Sequence, residues 1–356
     1  MTSESDSAPT VDWAALLGPG AQRDDAGHLT DLGDRTGELH TALADGGVMP
    51  LEAIGVIRVV GSDAADFLHA QLTQAVADQP VDQWRLAGLC NPKGRLFGLF
   101  RVVRLEQDDF LLLTDRALVD GLVQRLRMFV LRSRVALQDF TPHVLVAGAT
   151  GSGAAALTEA TGTLPQGTGT VGHAGDASVL HLGGTPERFL LVAHARDASG
   201  LWAGLTGSAR VCTPDAWRLL TIRSGEPVVY ADTRERFIPQ QVNLDLIEGV
   251  SFQKGCWPGQ EVVARMHYRG APSRRMAMLT APGEQVPLPG DSVLTAEGGS
   301  AGDVVDAVAG PAGVEALAVL RVAHHGREDL RLAGQPAGFG QLPYTVPLPE
   351  QATESD

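Results

Sequence analysis

At 356 residues, 44% of them hydrophobic and 20% charged, the chain has the composition of a soluble globular protein and the length of two or three interlocked domains. A net charge of −14 disfavours general affinity for nucleic acid, which depends on positive charge and counterion release. Only three cysteines occur, Cys90, Cys212 and Cys256, without CxxC spacing, which argues against a disulfide framework, a zinc ribbon or a self-contained four-cysteine cluster.

Met1–Pro9 is polar and acidic, and no apolar run approaches the roughly eighteen residues of a membrane span, so a cytoplasmic protein is expected. Residues 1–46 are rich in Ser, Asp, Gly and Thr and read as a mobile extension, with a short helix near Val11–Leu17. Ile54–Val60 has strand composition. Gly61-Ser62-Asp63 then supplies a turn and an N-cap for a helix with Phe67, Leu68 and Leu72 on one face. Leu96–Leu105 and Phe110–Thr114 flank Glu106-Gln107-Asp108-Asp109 as a hairpin, and a helix carrying Leu118, Leu122, Arg125 and Phe129 follows. Val135–Phe140 and His143–Ala147 resume strand composition, Ser152–Thr161 reads as helix, Gly162–Gly175 as loop, Arg188–Ala193 as strand, and a short helix lies near Leu201. Hairpins interrupt the alternation of strands and helices, which favours α+β with antiparallel sheets over a doubly wound parallel sheet. Beyond Gly270-Ala271-Pro272 the helix signals stop, and Met276–Leu279, Ser292–Leu294 and Val314–Val322 read as strands of a small β-barrel. No internal repeat is visible.

Two features carry possible chemistry on composition alone. Val144–Gly153 ends in Gly148-Ala149-Thr150-Gly151-Ser152-Gly153, as a dinucleotide-binding turn might, but no acidic residue ends a second strand some twenty residues on. Across 93–134 and 254–275, fourteen Lys and Arg face six acids, +8 inside a chain of −14. Such segregation suits either two solvated faces or a concave site for a small polyanion.

The most unusual stretch runs from Phe237 to Arg265. Pro258-Gly259 is a turn, Gln260-Glu261 opens a helix, and Cys256 lies just before it with Lys254 two residues away. A cysteine so placed is either a reactive thiolate of lowered pKa or a buried turn residue. The run Lys254-Gly255-Cys256-Trp257-Pro258-Gly259-Gln260-Glu261, preceded by Phe237-Ile238-Pro239-Gln240 and Asn243-Leu244, resembles the signature of the YgfZ family. These are folate-binding relatives of the glycine-cleavage T-protein that act in iron–sulfur protein maturation. Gly55–Val59, Phe67–Thr73, Cys90–Arg95 and the Arg269-Gly270 junction match as well, so the likeness spans about residues 48–335.

The resemblance implies a T-protein-like α+β fold with antiparallel sheets around a central hole, closed by a C-terminal small β-barrel, with tetrahydrofolate or a derivative near the middle. It divides the chain into a mobile extension (1–46), the first part of a folate-binding domain (47–142), a second α+β domain (143–211), a return segment with the Lys-Gly-Cys motif (212–271), the barrel (272–345) and a tail (346–356). Cys256 and Lys254 become the candidate catalytic pair. Asn91, Lys93, Arg95, Gln240, Asn243, Gln260, Glu261 and Arg265 become candidate cofactor contacts, and no metal site is expected. The implied function is that of a tetrahydrofolate-binding accessory protein for assembly or repair of 4Fe–4S enzymes, with indirect influence on tRNA modification. The implied partners are folate and iron–sulfur client or assembly proteins, with no direct nucleic acid, no membrane and a monomeric state.

Departures from the T-protein pattern matter equally. The aspartate that serves the folate nitrogen in the T-protein falls at Gly98 or Leu99 here, so no carboxylate is available for acid–base work. The T-protein glutamate before a glycine falls at Arg223, which leaves the pterin-recognising carboxylate without a direct match; Glu226, on the far side of Gly225, is a weak substitute. Two other functions share this scaffold: an active aminomethyltransferase, against which the missing aspartate argues, and a binding module of a one-carbon demethylase or oxidase.

Overall fold

The computed structural model describes residues 8–24, 27–270 and 272–348. The chain opens with α1 (Trp13–Leu17), the two-stranded ribbon β1 (Gln22–Arg23) and β2 (Leu29–Asp31), and α2 (Arg35–Ala44). The described part of residues 1–46 thus forms packed elements. Asp34 caps α2 by accepting from Gly37 N at 3.0 Å, and Leu39 and Ala42 bury against the main core. Trp202 Nε1 donates to Leu16 O at 3.1 Å and fastens α1. Residues 1–7, 25–26 and 349–356, which include much of the expected tails, lie outside the described residues.

Two five-stranded antiparallel sheets follow, and they repeat one plan. After β3 (Gly46–Pro50) come β4 (Ile54–Val60), α3 (Ala64–Gln71), the meander β5 (Gln83–Cys90), β6 (Leu96–Glu106) and β7 (Asp109–Asp115), then α4 (Val119–Arg127) and β8 (Ala136–Asp139), in the order β5-β6-β7-β4-β8. The second set runs β9 (Val144–Gly151), α5 (Ser152–Thr161), β10 (Val171–Ala174), β11 (Ala177–Gly183), β12 (Arg188–His194) and α6 (Ala195–Ser208), in the order β10-β11-β12-β9-β3. The early strand β3 thus fills the edge that β8 fills in the first sheet. The repeat is one of topology, since many apolar sequences satisfy the same burial pattern.

The glycine-rich turn after β9 binds main chain. β9 is antiparallel to both β12 and β3, and a Cβ on Gly153 would stand 2.0 Å from Gly47 O, so backbone fills the space a pyrophosphate would need.

α7 (Pro214–Arg223) is buried on most of its faces between the sheets and the barrel; Gly148 leaves room for its Trp217, whose ring a Cβ would meet at 2.2 Å. After α8 (Gln260–Arg269) the chain forms β13 (Arg274–Ala281), β14 (Ser292–Thr295), β15 (Ser300–Gly310), β16 (Gly313–Arg321), β17 (Leu330–Leu332), β18 (Gln335–Pro336) and β19 (Gly338–Phe339). These seven antiparallel strands build the barrel that the sequence predicts, in the order β18-β17-β14-β15-β16-β13-β19. Arginines dock it: Arg218 on Asp306, Arg223 on Glu315 at 2.6 Å and Arg236 on Asp303 at 2.6 Å, while Arg274 of β13 pairs with the same Asp303 from within the barrel at 3.1 Å. Among the described residues no helix is long and apolar enough to cross a membrane.

Candidate functional site

The four motif segments, far apart in sequence, converge at one end of the first sheet. Leu96 N donates to Phe237 O at 2.8 Å and Glu235 N to Leu96 O at 2.7 Å, which lays the Phe237 segment along the start of β6. Thr73, fully buried, donates its hydroxyl to Gly249 O at 2.6 Å and accepts from Gly88 N at 2.7 Å, while Ser251 N donates to Thr73 O at 2.9 Å. The loop before α8 is therefore stitched to the loop after α3.

Lys254 makes the last stitch. Its ammonium donates to Leu72 O at 2.6 Å and to His69 O, carbonyls at the C-terminal end of α3 that have no partner within the helix. A cation there also meets the negative end of the helix dipole. Burial pushes the amine down to about 8. The charge that the sequence suggested for tuning Cys256 is thus committed to α3, and Lys254 holds the loop that carries the thiol.

Asn91 builds the facing turn. Its side-chain oxygen Oδ1 accepts from Lys93 N at 2.9 Å and Arg95 N at 3.1 Å, and its side-chain Nδ2 donates to Glu235 at 2.9 Å. Gly94 has φ +71° and Gly259, which precedes α8, has φ +85°. A Cβ on Gly259 would lie 2.5 Å from Asn91 O and 2.7 Å from Gly94 Cα, so the two turns interlock backbone to backbone. Beside this contact Trp257 is buried and Cys256 is exposed, whereas Cys90 and Cys212 are buried. Burial pushes the Cys212 thiol up to about 11 and the Cys90 thiol higher still. The accessible thiol is the one in the motif.

The remaining candidates divide by role. Gln240 is buried and donates to Val263 O at 2.7 Å, pinning α8, while its side-chain oxygen is buried without a partner. Asn243, at φ +58°, donates to Met276 O at 2.9 Å and pins β13. Arg95 donates to Arg236 O. Gln260 is half-buried at the start of α8, and Lys93, Glu261 and Arg265 are exposed on the interlocked turn and helix. The ten candidates thus lie on the segments that meet here, and five of them, Asn91, Arg95, Gln240, Asn243 and Lys254, bond to the framework.

Sequence reasoning missed a buried ion cluster between the two sheets. Glu226 is clasped by Arg101 of β6 and Arg188 of β12; burial raises its carboxyl, but Arg188 and Arg101 outweigh that and hold it below the usual range. Arg101 keeps a buried Nε–H without a partner. Tyr344, from the chain beyond the barrel, donates to Gly225 O at 2.7 Å. Only Glu226 carried a signal, its place beside Gly225. At the T-protein aspartate positions, a Cβ on Gly98 would stand 2.6 Å from Leu122, and Leu99 is buried. Arg223 is spent on Glu315.

Comparison with known proteins bears on the family and the fold. Residues 35–166 match the model of the GCVT N-terminal domain. The tRNA-modifying protein YgfZ of Yersinia pestis (strain Pestoides F) is 30% identical over 246 residues, 69% of this chain and 74% of that protein. The protein of the same name from Cronobacter sakazakii (strain ATCC BAA-894) is 31% identical over the same shares. Among solved structures, the glycine cleavage system aminomethyltransferase T from Bartonella henselae superposes with a TM-score of 0.77 at 20% identity, covering 91% of this chain and 94% of that one. That likeness gives the fold.

Proposed function

The chain belongs to the YgfZ family, and from that premise we propose that it is a tetrahydrofolate-binding accessory protein for the assembly or repair of 4Fe–4S enzymes. Its effect on tRNA modification runs through such a client rather than through contact with RNA, in keeping with a net charge of −14.

The observation that carries this reading is the exposed thiol of Cys256, set on a loop braced by Lys254, Thr73 and the Gly94–Gly259 contact. A thiolate is both the nucleophile and the metal ligand of cysteine chemistry, and a braced, accessible one suits transient exchange with a client's cluster. Aminomethyl transfer lacks support, because Leu122 fills the space at Gly98 that a carboxylate would need.

The residues present fit a reduced folate. Arg101 offers an unpartnered buried donor beside Glu226, Gln240 an unpartnered buried acceptor, and Lys93 and Arg265 exposed cations for the ligand's carboxylates. Bound there, folate supplies a one-carbon carrier. The protein's own part is to hold the ligand at the junction and keep Cys256 accessible.

Calorimetric titration of tetrahydrofolate tests the first half, and the activity of a 4Fe–4S enzyme in cells lacking and regaining this chain tests the second. Binding together with restored activity is expected. Methylenetetrahydrofolate formation from an aminomethyl-loaded H-protein would replace this reading with active aminomethyl transfer.

A further inference from the structure

The chain leaves the barrel after β19 and turns back into the centre of the molecule. Gly340 N donates to Met278 O at 2.9 Å, and from there to residue 346 the main chain makes no backbone hydrogen bond to another described residue. Alternate side chains hold it instead. Leu342 packs on the main core, and Tyr344 is half-buried, while Gln341, Pro343 and Thr345 are exposed.

Tyr344 sits on a prepared seat. Its hydroxyl donates to Gly225 O at 2.7 Å and accepts from the Asn243 amide at 3.5 Å. Gly225 has φ +65°, and a Cβ there would lie 2.6 Å from the ring, so the glycine makes the space the ring fills. Beyond Gly225 stands Glu226 between Arg101 and Arg188, with the unpartnered Arg101 N–H. An open groove of about 440 Å³ follows the segment, lined by Met276, Met278, His325 and Tyr344 among others. Burial pushes the Tyr344 hydroxyl up to about 12, so it remains a donor across the physiological range.

We infer that residues 340–346 are a strap and that Tyr344 holds the inner seat of the ligand site, a flat heteroaromatic ligand entering by displacing it. The inference rests on the folate reading above. A ring with a polar tip, seated between a backbone carbonyl and a carboxamide, offers the contacts that a pteridine with its ring N–H groups would use. The absence of a backbone ladder leaves the segment held by side chains, and sites that open for ligands are drawn from such elements. Because apparent affinity falls by the fraction of molecules whose site is open, a strap that closes the site lowers affinity for any ligand that needs the seat.

The chain has three tyrosines, so fluorotyrosine labelling gives three resonances, and Tyr344→Phe identifies the one of interest. Saturating tetrahydrofolate is expected to move the Tyr344 resonance to a solvent-exposed environment. Tyr344→Ala is expected to bind tetrahydrofolate about tenfold more tightly by calorimetry, with Tyr344→Phe in between. A Tyr344 resonance that stays put while calorimetry shows tetrahydrofolate bound would overturn the strap, as would weaker binding by Tyr344→Ala, which would make Tyr344 a ligand contact. No binding by wild type or either variant would instead remove the folate reading, and the gate with it.

Discussion

The two sheets share one plan and differ where chemistry is placed. In the second sheet the β10–β11 turn is a plain one: Gly175 has φ +59°, and a Cβ there would meet nothing within 4 Å. In the first sheet the equivalent β5–β6 turn carries Asn91 and Gly94 and interlocks with Gly259. The helices contrast in the same way. α5 ends on Gly162 in the left-handed conformation, whose N–H donates to Thr158 O at 2.7 Å, and so closes itself. The end of α3 is closed by Lys254, more than 180 residues away in sequence. A repeated scaffold thus carries a single candidate site where the return segment is laid on one copy only.

The largest effect should come from the tie between the copies. Glu226→Ala leaves Arg101 and Arg188 without a shared counterion, and unfolding experiments should show a loss of about 3–5 kcal/mol. A loss under about 1 kcal/mol would mean that the halves meet by packing alone.

Next come the turns. Gly259→Ala combines a left-handed backbone with contacts at 2.5 and 2.7 Å and should cost about 2–5 kcal/mol. Gly175→Ala, in the equivalent turn of the other sheet, should cost only about 1–2 kcal/mol. Equal melting temperatures for the two variants would erase the asymmetry.

Lys254→Met removes a charged donor from two carbonyls and should cost about 1–2 kcal/mol, with Cys256 more exposed to protease and alkylating agent. The same residue gives stability a pH dependence. The Lys254 amine is lowered from 10.5 to about 8 by burial, so the unfolded chain binds the proton more tightly than the folded one. From this group, stability should rise with pH between about 8 and 10.5, and the dependence should vanish in Lys254→Met. Parallel melts of both proteins at pH 7 and pH 10 check the sign.

Much of the first sheet is legible in the sequence. Ile54–Val60 and the β6–β7 hairpin announce themselves through composition and a polar turn, as does α5 of the second set through its terminal glycine. β11 does not, because all seven residues of Ala177–Gly183 are buried and period-two alternation never appears. β5 escapes for a similar reason, with Ala87, Gly88, Leu89 and Cys90 all buried in succession. In the site, Cys256 and Lys254 stand out by their motif. The Lys254 partners at His69 and Leu72, the clasp on Glu226 and the seat of Tyr344 are long-range contacts, which local pattern does not encode.

The central claim is that the first copy of the scaffold presents Cys256 as the working thiol. The most direct test replaces the chain in cells with Cys256→Ser and measures the activity of a 4Fe–4S client enzyme, with the variant's melting temperature as the folding control. Client activity at the level of cells lacking the chain, with an unchanged melting temperature, is the predicted result; full client activity would contradict the claim and leave Lys254 and Gly255 as a structural brace.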